Sequence, residues 1–250
     1  MQKKRRRPRT ASLDYEIQYT AAGKLAIFGF DEAGRGAWAG PVAAAAVCLP
    51  PPDDSLYDHL AGVRDSKQIT ARQRELFADE IRTVARAWGV GSASQAEIDS
   101  MGIIPATKLA MDRALTHALE TAAASITPDL LLLDAMSWPE APVTCKQVHI
   151  VHGDQLSLTI AAASVLAKTW RDAHMRDLDA AYPGYAFGQH KGYGTAGHRE
   201  ALNRLGVSPE HRRCYQPVAE IVAASERNVY PLDQQAGPAD ADENNRHDRE

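Results

Sequence analysis

Four acidic residues stand where a fold by itself has little use for them. Asp31 and Glu32 close an apolar run in FGFDEAGRGAWAGPV (residues 28–42), Asp134 follows four consecutive leucines, and Asp154 lies in a His-Gly-Asp turn before a long apolar segment. Aspartate is disfavoured in strands. Strand ends do accept it as a turn or cap residue, and that bland account serves for Asp154 alone. It serves less well for Asp134 after its leucines, and least for the adjacent pair. Taken together the four favour one shared site. Clustered carboxylates repel, and some hold their protons unless a cation neutralises them. Mg²⁺ or Mn²⁺ takes oxygen ligands and leaves positions for water and phosphate. Two such ions roughly 3.5–4 Å apart can activate a water and stabilise the leaving oxygen of an in-line displacement. The chemistry implied is metal-assisted phosphodiester hydrolysis.

The same stretch offers a competing motif. Residues 34–39, GRGAWA, match the G-x-G-x-x-[G/A] dinucleotide fingerprint after a strand. Asp31 and Glu32 would repel a pyrophosphate there, Pro41 opens the next element where a helix N-terminus is required, and the acids about 20 residues on, Asp53 and Asp54, sit in a proline loop. The acids prevail over the glycines.

The elements that must carry these residues follow from periodicity. Residues 25–31 read as a strand and 41–49 as its hairpin partner, Pro41 and the short length outweighing the helix tolerance of four alanines. Residues 50–54 read as a loop. Thr70 and Gln73 form a capping-box pattern that opens a helix to about residue 86, with Leu76, Ile81 and Val84 on its inner face. Residues 88–93 give a third strand. A helix spans about 105–124, with Leu109, Met111, Leu115 and Leu119 near helical spacing. The wholly apolar 130–134 is the pattern of a central strand covered on both faces. A fifth strand at 146–151 leads into a helix at about 157–180, then a glycine-rich loop and a helical stretch near 198–205. The result is an α/β mixed five-stranded sheet flanked by helices, with a small C-terminal helical appendage. Four regions are expected: a basic flexible arm (1–20), the core (21–182), the C-terminal helical region (183–226) and a disordered acidic tail (227–250).

Composition narrows the class. Hydrophobic residues make up 44% and charged residues 24% of 250, ordinary for a globular protein with a real core. No apolar run is long enough to span a bilayer, and the basic N-terminus lacks the apolar region of a secretory signal. Cys48, Cys145 and Cys214 are odd in number and without C-x-x-C spacing, which argues against a disulfide framework or a zinc site and for a reducing cytoplasm. Net charge is −4, but residues 1–12 carry six positive charges and no negative one. Such an arm can contact phosphates, though alone it reads as solvated.

GFDEAGRGAWAGPV resembles the N-terminal signature of the ribonuclease HII family. The likeness continues in order through DSK (Asp65, Ser66, Lys67), LLLDA, HGDQLSLTIAAASVLAKTWRD, YAFGQHKGYGTAGH and HRRCYQPV, covering roughly residues 25–218. The resemblance implies a ribonuclease H-like fold and an endonuclease that uses Mn²⁺ or Mg²⁺, cuts RNA in RNA–DNA hybrids and incises at single ribonucleotides in duplex DNA, leaving 3′-hydroxyl and 5′-phosphate ends. The family's acids fall on Asp31, Glu32, Asp134 and Asp154, with Asp31, Glu32 and Asp134 expected as metal ligands. Its 2′-hydroxyl reader falls on Gly34, Arg35 and Gly36, and its sugar-stacking tyrosine on Tyr193. Both glycines would allow close backbone approach to the 2′-hydroxyl, which is what tells RNA from DNA. Lys67, Lys168, Lys191 and Arg35 are candidate phosphate contacts, while Arg171 and Asp172 read as structural. The sequence departs from the family at His152, usually lysine, and at Ala37-Trp38, commonly Pro-Leu. Two rivals remain: a resolvase- or transposase-like DNA nuclease on the same fold, and a silent hybrid-binding protein. A monomer is the default.

Overall fold

The computed structural model describes residues 10–229. In chain order the elements are α1 (Asp14–Ala21), β1 (Ile27–Ala33), β2 (Val42–Cys48), α2 (Asp54–His59), a single 3-10 turn (Ser66–Gln68), α3 (Ala71–Val84), β3 (Ala87–Ala93), α4 (Gln95–Met101), α5 (Ile103–Thr121), β4 (Leu130–Asp134), β5 (Lys146–Ile150), α6 (Gly153–Leu156), α7 (Leu158–Ala181), α8 (Phe187–His190), α9 (Ala196–Leu205) and α10 (Gln216–Val229). One mixed sheet runs in the order β3-β2-β1-β4-β5. β1 pairs antiparallel with β2 and parallel with β4, and β5 continues the parallel half.

Small side chains explain how helices cover both faces. β2 is VAAAAVC and every residue in it is buried. Alanine keeps its helix tolerance there only on paper, because the strand is sandwiched: α5 packs on one face and α3 with α7 on the other. α5 presents the ridge Ala106, Ala110, Ala114 and Ala118, all fully buried, at i, i+4 spacing. This ridge lies so close to β3 that a Cβ on Gly91 would stand 2.3 Å from the Ala110 carbonyl oxygen. Of the expected inner positions of α5, Met111 and Leu115 are buried, while Leu109 and Leu119 only flank the core.

Several expectations need correcting. β1 does not stop at Asp31 but runs to Ala33, because β2 continues to pair with it (Glu32↔Ala44, Ala33↔Ala43). The loop expected at 50–54 holds through Asp53, which caps the N-terminus of α2 by accepting from the Leu56 N–H at 2.7 Å; Asp54 already belongs to the helix. In α3 the capping box forms as expected, but Leu76 is 63% exposed and the inner face is Ala78 and Ile81. The basic arm expected at 1–20 is too long: α1 occupies its last third. Its anchor is Glu16, 4% exposed, whose carboxylate accepts from Ser157 Oγ (2.6 Å) and the Thr159 N–H (2.9 Å) at the start of α7. Tyr15 and Tyr19, one turn apart, add an apolar contact with the cluster of Ile27, Leu130, Leu132, Ile150 and Ile160. α10 reaches Val229, past the expected tail boundary at 227. Residues 1–9 and 230–250, with the first part of the expected arm and most of the expected tail, lie outside the described residues.

The C-terminal region draws on the rest of the chain to complete its core. Its apolar cluster of Tyr185, Phe187, Ala201 and Leu202 is completed by Met175 of α7 and by Ala39 from the loop after β1.

Candidate active site

The sheet topology brings the acids together. β1 and β4 are parallel neighbours with Phe30 opposite Leu133, so the next step along both strands sets Asp31 beside Asp134. β5 pairs Ile150 with Asp134 and then turns back into α6, which carries Asp154. The Gly153 N–H donates to Asp134 Oδ1 at 2.8 Å and fixes that return. Carboxylate oxygens of Asp31, Asp134 and Asp154 lie within 4.8 Å of one another. Asp31 and Asp154 are 8% and 5% exposed.

Glu32 is the exception. It was expected as a metal ligand with Asp31 and Asp134, yet the tight group contains Asp154 in its place. Successive strand side chains leave opposite faces of the pleat. The Glu32 carboxylate instead meets Arg35 Nη1 at 3.2 Å, while its own N–H donates to Asp31 Oδ1 at 2.7 Å. It still feels the charge of Asp134.

Electrostatics show a site built for positive charge. Burial, then the neighbouring Glu32, hold the Asp31 carboxyl well above the usual carboxylate range, against a hydrogen bond from Ser164. Burial likewise raises Glu32, against the opposing Arg35. Asp154 is pushed up to about 6 by burial, then by Asp65 and Asp134. Lys67 stands over this group. Burial acts to lower its ammonium, but Asp31, Asp65, Asp154 and Asp134 together outweigh it and raise its pKa. Asp31 and Asp154, which burial and their neighbours hold against ionisation, converge with Asp134 on one point, a donor set suited to a hard divalent cation.

Two contributors escaped the sequence reading. Asp65 lies alongside Asp154 and accepts from the Lys67 N–H (2.9 Å) and Gln68 Nε2 (3.1 Å). Ser164 on α7 joins Asp31 to Ser66, whose Oγ is 2.9 Å from its own. Asp65 stood in the sequence only as the first letter of DSK, with no role attached, and Ser164 is one small residue inside an alanine-rich helix. Arg74 and Lys168 both hold Asp172 (2.9 and 2.7 Å), and Arg74 also donates to the Ser66 and Ile69 carbonyls. Asp172 is thereby structural, as expected: it ties the segment bearing Asp65 and Lys67 to α7.

The glycine turn sits directly beyond β1, and its two glycines differ. Gly34 has φ +93°, and a Cβ there would lie 1.9 Å from Arg171 Nε. Its φ and the buried arginine behind it are each enough to require glycine here. Gly36 is exposed, with nothing within 4 Å of a Cβ position. That face is open. Arg171 itself is fully buried and donates to the carbonyls of Pro41 (2.9 Å), Lys191 (2.8 Å) and Ala39 (3.2 Å). Its guanidinium lies 5.6 Å from the Tyr193 ring centroid, and Lys168 Nζ lies 5.8 Å from it. The Trp38 N–H donates to the Gly192 carbonyl at 2.7 Å. Tyr193, 37% exposed, is thus fixed beside the glycine turn.

The remaining expected residues divide. Arg35 is half-exposed next to Glu32. Lys191 donates to the Gly188 carbonyl, and burial lowers its pKa. His152 is exposed, with φ +58°, in the turn before α6. Trp38 takes up its departure from the family pattern by packing on His198, centroids 5.5 Å apart, across Gly194.

Comparison with known proteins gives the family and the fold. The family model for ribonuclease HII matches residues 28–218. The ribonuclease HII of Halorhodospira halophila is 50% identical over 201 residues, 80% of this chain and 96% of that one. That of Synechococcus sp. (strain JA-3-3Ab) is 48% identical over 212 residues, 85% and 91% of the two chains. Among solved structures, ribonuclease H2 from Pyrococcus horikoshii superposes with a TM-score of 0.62 at 23% identity, covering 81% of this chain and 99% of that one. Bst-RNase HIII in complex with Mn²⁺ gives 0.65 at 19%, covering 82% and 71%. These last two establish the ribonuclease H-like fold, and the close sequence relatives establish more: the chain belongs to the ribonuclease HII family, metal-dependent hydrolases that cleave RNA in RNA–DNA hybrids.

Proposed function

We propose that this protein incises duplex DNA on the 5′ side of an embedded ribonucleotide, using two divalent cations, Mn²⁺ or Mg²⁺. The observation that carries the reading is a juxtaposition: the convergent carboxylates of Asp31, Asp134 and Asp154 lie one short turn from the open backbone at Gly36. Asp31, Asp134 and Asp154 would hold the cations, with Glu32 at their margin. Bound there, such ions lower the pKa of a water and neutralise charge on the leaving 3′-oxygen. The fold relative crystallised with Mn²⁺ is consistent with this choice of ion.

The chain's own residues then position the strand. Backbone groups of Gly34, Arg35 and Gly36 meet the ribose 2′-hydroxyl, both donor and acceptor. Tyr193, propped by Arg171 and Lys168, stacks on the following deoxyribose, where an added hydroxyl would crowd the ring. Lys67 neutralises phosphate beside the acids. Water adds to phosphorus as the P–O3′ bond breaks, and the proton ends on the 3′-oxygen, leaving a 3′-hydroxyl and a 5′-phosphate.

The test is a duplex carrying one ribonucleotide, beside its all-DNA twin, with Mg²⁺ or Mn²⁺. Cleavage of the first alone is expected, and equal cutting of both would sink the 2′-hydroxyl reading. Asp31→Asn should abolish cleavage while the thermal transition persists; retained activity would remove the metal site.

A further inference from the structure

The peptide between Arg35 and Gly36 has a problem the sequence alone does not solve. The Ala37 N–H donates to the Gly34 carbonyl at 3.2 Å, closing a four-residue turn with Arg35 and Gly36 at its centre. Such a turn exists in two forms that differ by a flip of the central peptide, and the flipped form needs φ > 0 at its third residue. A glycine there admits both. Gly36 does not take positive φ in this structure. Because the peptide is planar and trans, its carbonyl and its N–H point opposite ways. Whatever holds the Arg35 carbonyl therefore decides where the Gly36 N–H points.

Two side chains from the far end of the chain hold it. Arg212 is fully buried; its Nη1 donates to the Arg35 carbonyl at 2.9 Å and its Nε to the Gly40 carbonyl at 2.9 Å. The Tyr215 hydroxyl donates to the same Arg35 oxygen, and Arg212 Nη1 reaches that hydroxyl at 3.1 Å. No carboxylate among the described residues pairs with Arg212. A buried guanidinium spent on two backbone carbonyls and a hydroxyl, with no anion to pair it, costs desolvation that simple packing would avoid. The loop bearing both residues is itself tied down: Asp99 accepts from the N–H groups of Arg213 and Cys214, at 2.9 Å each.

We propose that Arg212 and Tyr215 are positioning residues for ribose recognition, clamping the Arg35 carbonyl inward so that the Gly36 N–H faces the substrate groove. This rests on the 2′-hydroxyl reading above. Neither residue touches substrate; each acts through the peptide it orients. Tyr215 contributes one hydroxyl to the clamp, which makes Tyr215→Phe the cleanest perturbation.

The experiment measures binding in EDTA, without cleavage, of a fluorescent duplex with one ribonucleotide and of its all-DNA twin. The ratio of the two dissociation constants reports 2′-hydroxyl reading alone. In Tyr215→Phe that ratio should fall roughly three- to tenfold, as befits one hydrogen bond, with all-DNA affinity and the melting temperature unchanged. Arg212→Lys should lower it further. An unchanged ratio in a folded Tyr215→Phe overturns the proposal, as does an equal loss of affinity for both duplexes, the mark of a merely structural role. If the unaltered protein binds both duplexes alike, the functional reading itself has failed, and the clamp with it.

Discussion

Asp154→Asn should stabilise the metal-free protein while damaging its catalysis. The Asp154 carboxyl is raised from an ordinary 3.8 to about 6, by burial first and then by Asp65 and Asp134. For an acid whose folded pKa is raised, the folded state binds more protons between the two values, so stability falls as pH rises through that window. Below about pH 4 both states are protonated and nothing is lost; above about pH 6 the penalty is complete. At about 1.36 kcal/mol per pKa unit the rise is worth roughly 3 kcal/mol as a ceiling. Lys67 opposes it and water at the open side of the site screens it, leaving about 1–2 kcal/mol. Asparagine removes the charge and keeps an amide that can donate to Asp65. For a chain of this size the gain corresponds to roughly 3–6 °C in melting temperature.

The assay is thermal or urea unfolding in EDTA at several pH values, then with saturating Mg²⁺ or Mn²⁺. At pH 7.5 without metal the variant should melt above the unaltered protein, and the gap should close as pH falls to 4. With metal the order should invert. A cation at a hundredfold excess over its dissociation constant adds about 2.7 kcal/mol to a chain that binds it, and the variant has lost one ligand. A variant that is no more stable in EDTA at pH 7.5, or a gap that stays constant with pH, would refute the reasoning that these acids are held under electrostatic strain.

The other expectations concern the frame around the site. Gly34→Ala must accommodate both φ +93° and a Cβ within 1.9 Å of Arg171 Nε; a loss of about 2–4 kcal/mol is expected by urea denaturation. Gly36→Ala meets open space and should leave the denaturation midpoint unmoved while weakening the binding of ribonucleotide-containing duplex; a matching loss of stability would contradict the distinction between the two glycines. Asp172→Ala leaves Arg74 and Lys168 without their shared partner and should cost about 2–4 kcal/mol. In the same variant, activity should fall beyond what unfolding explains, because Arg74 also holds the segment with Asp65 and Lys67.

What the sequence made legible, and what it hid, follows from the range of the interactions. β4 was readable to the residue because four leucines and an aspartate state burial and its end in five letters. The pairing of Asp31 with Asp134 was readable in kind, since acids at the ends of apolar strands converge when those strands are neighbours. Which of the four would share oxygens was not: that depends on pleat direction, and the pleat turned Glu32 toward Arg35 and left Asp154 in the group. α1 was hidden because its anchor is a buried glutamate bonded to a helix end more than a hundred residues away. The glycine turn shows the limit most sharply. Its letters say that the backbone is free to turn and to be approached, and they cannot say which glycine serves which need. That answer lies in Arg171 behind Gly34 and in Arg212 and Tyr215 behind the Arg35 carbonyl. A motif of three residues is rigid here only because side chains from α7 and from the segment before α10 make it so. A graft of Gly-Arg-Gly onto another loop would therefore carry the letters without the orientation.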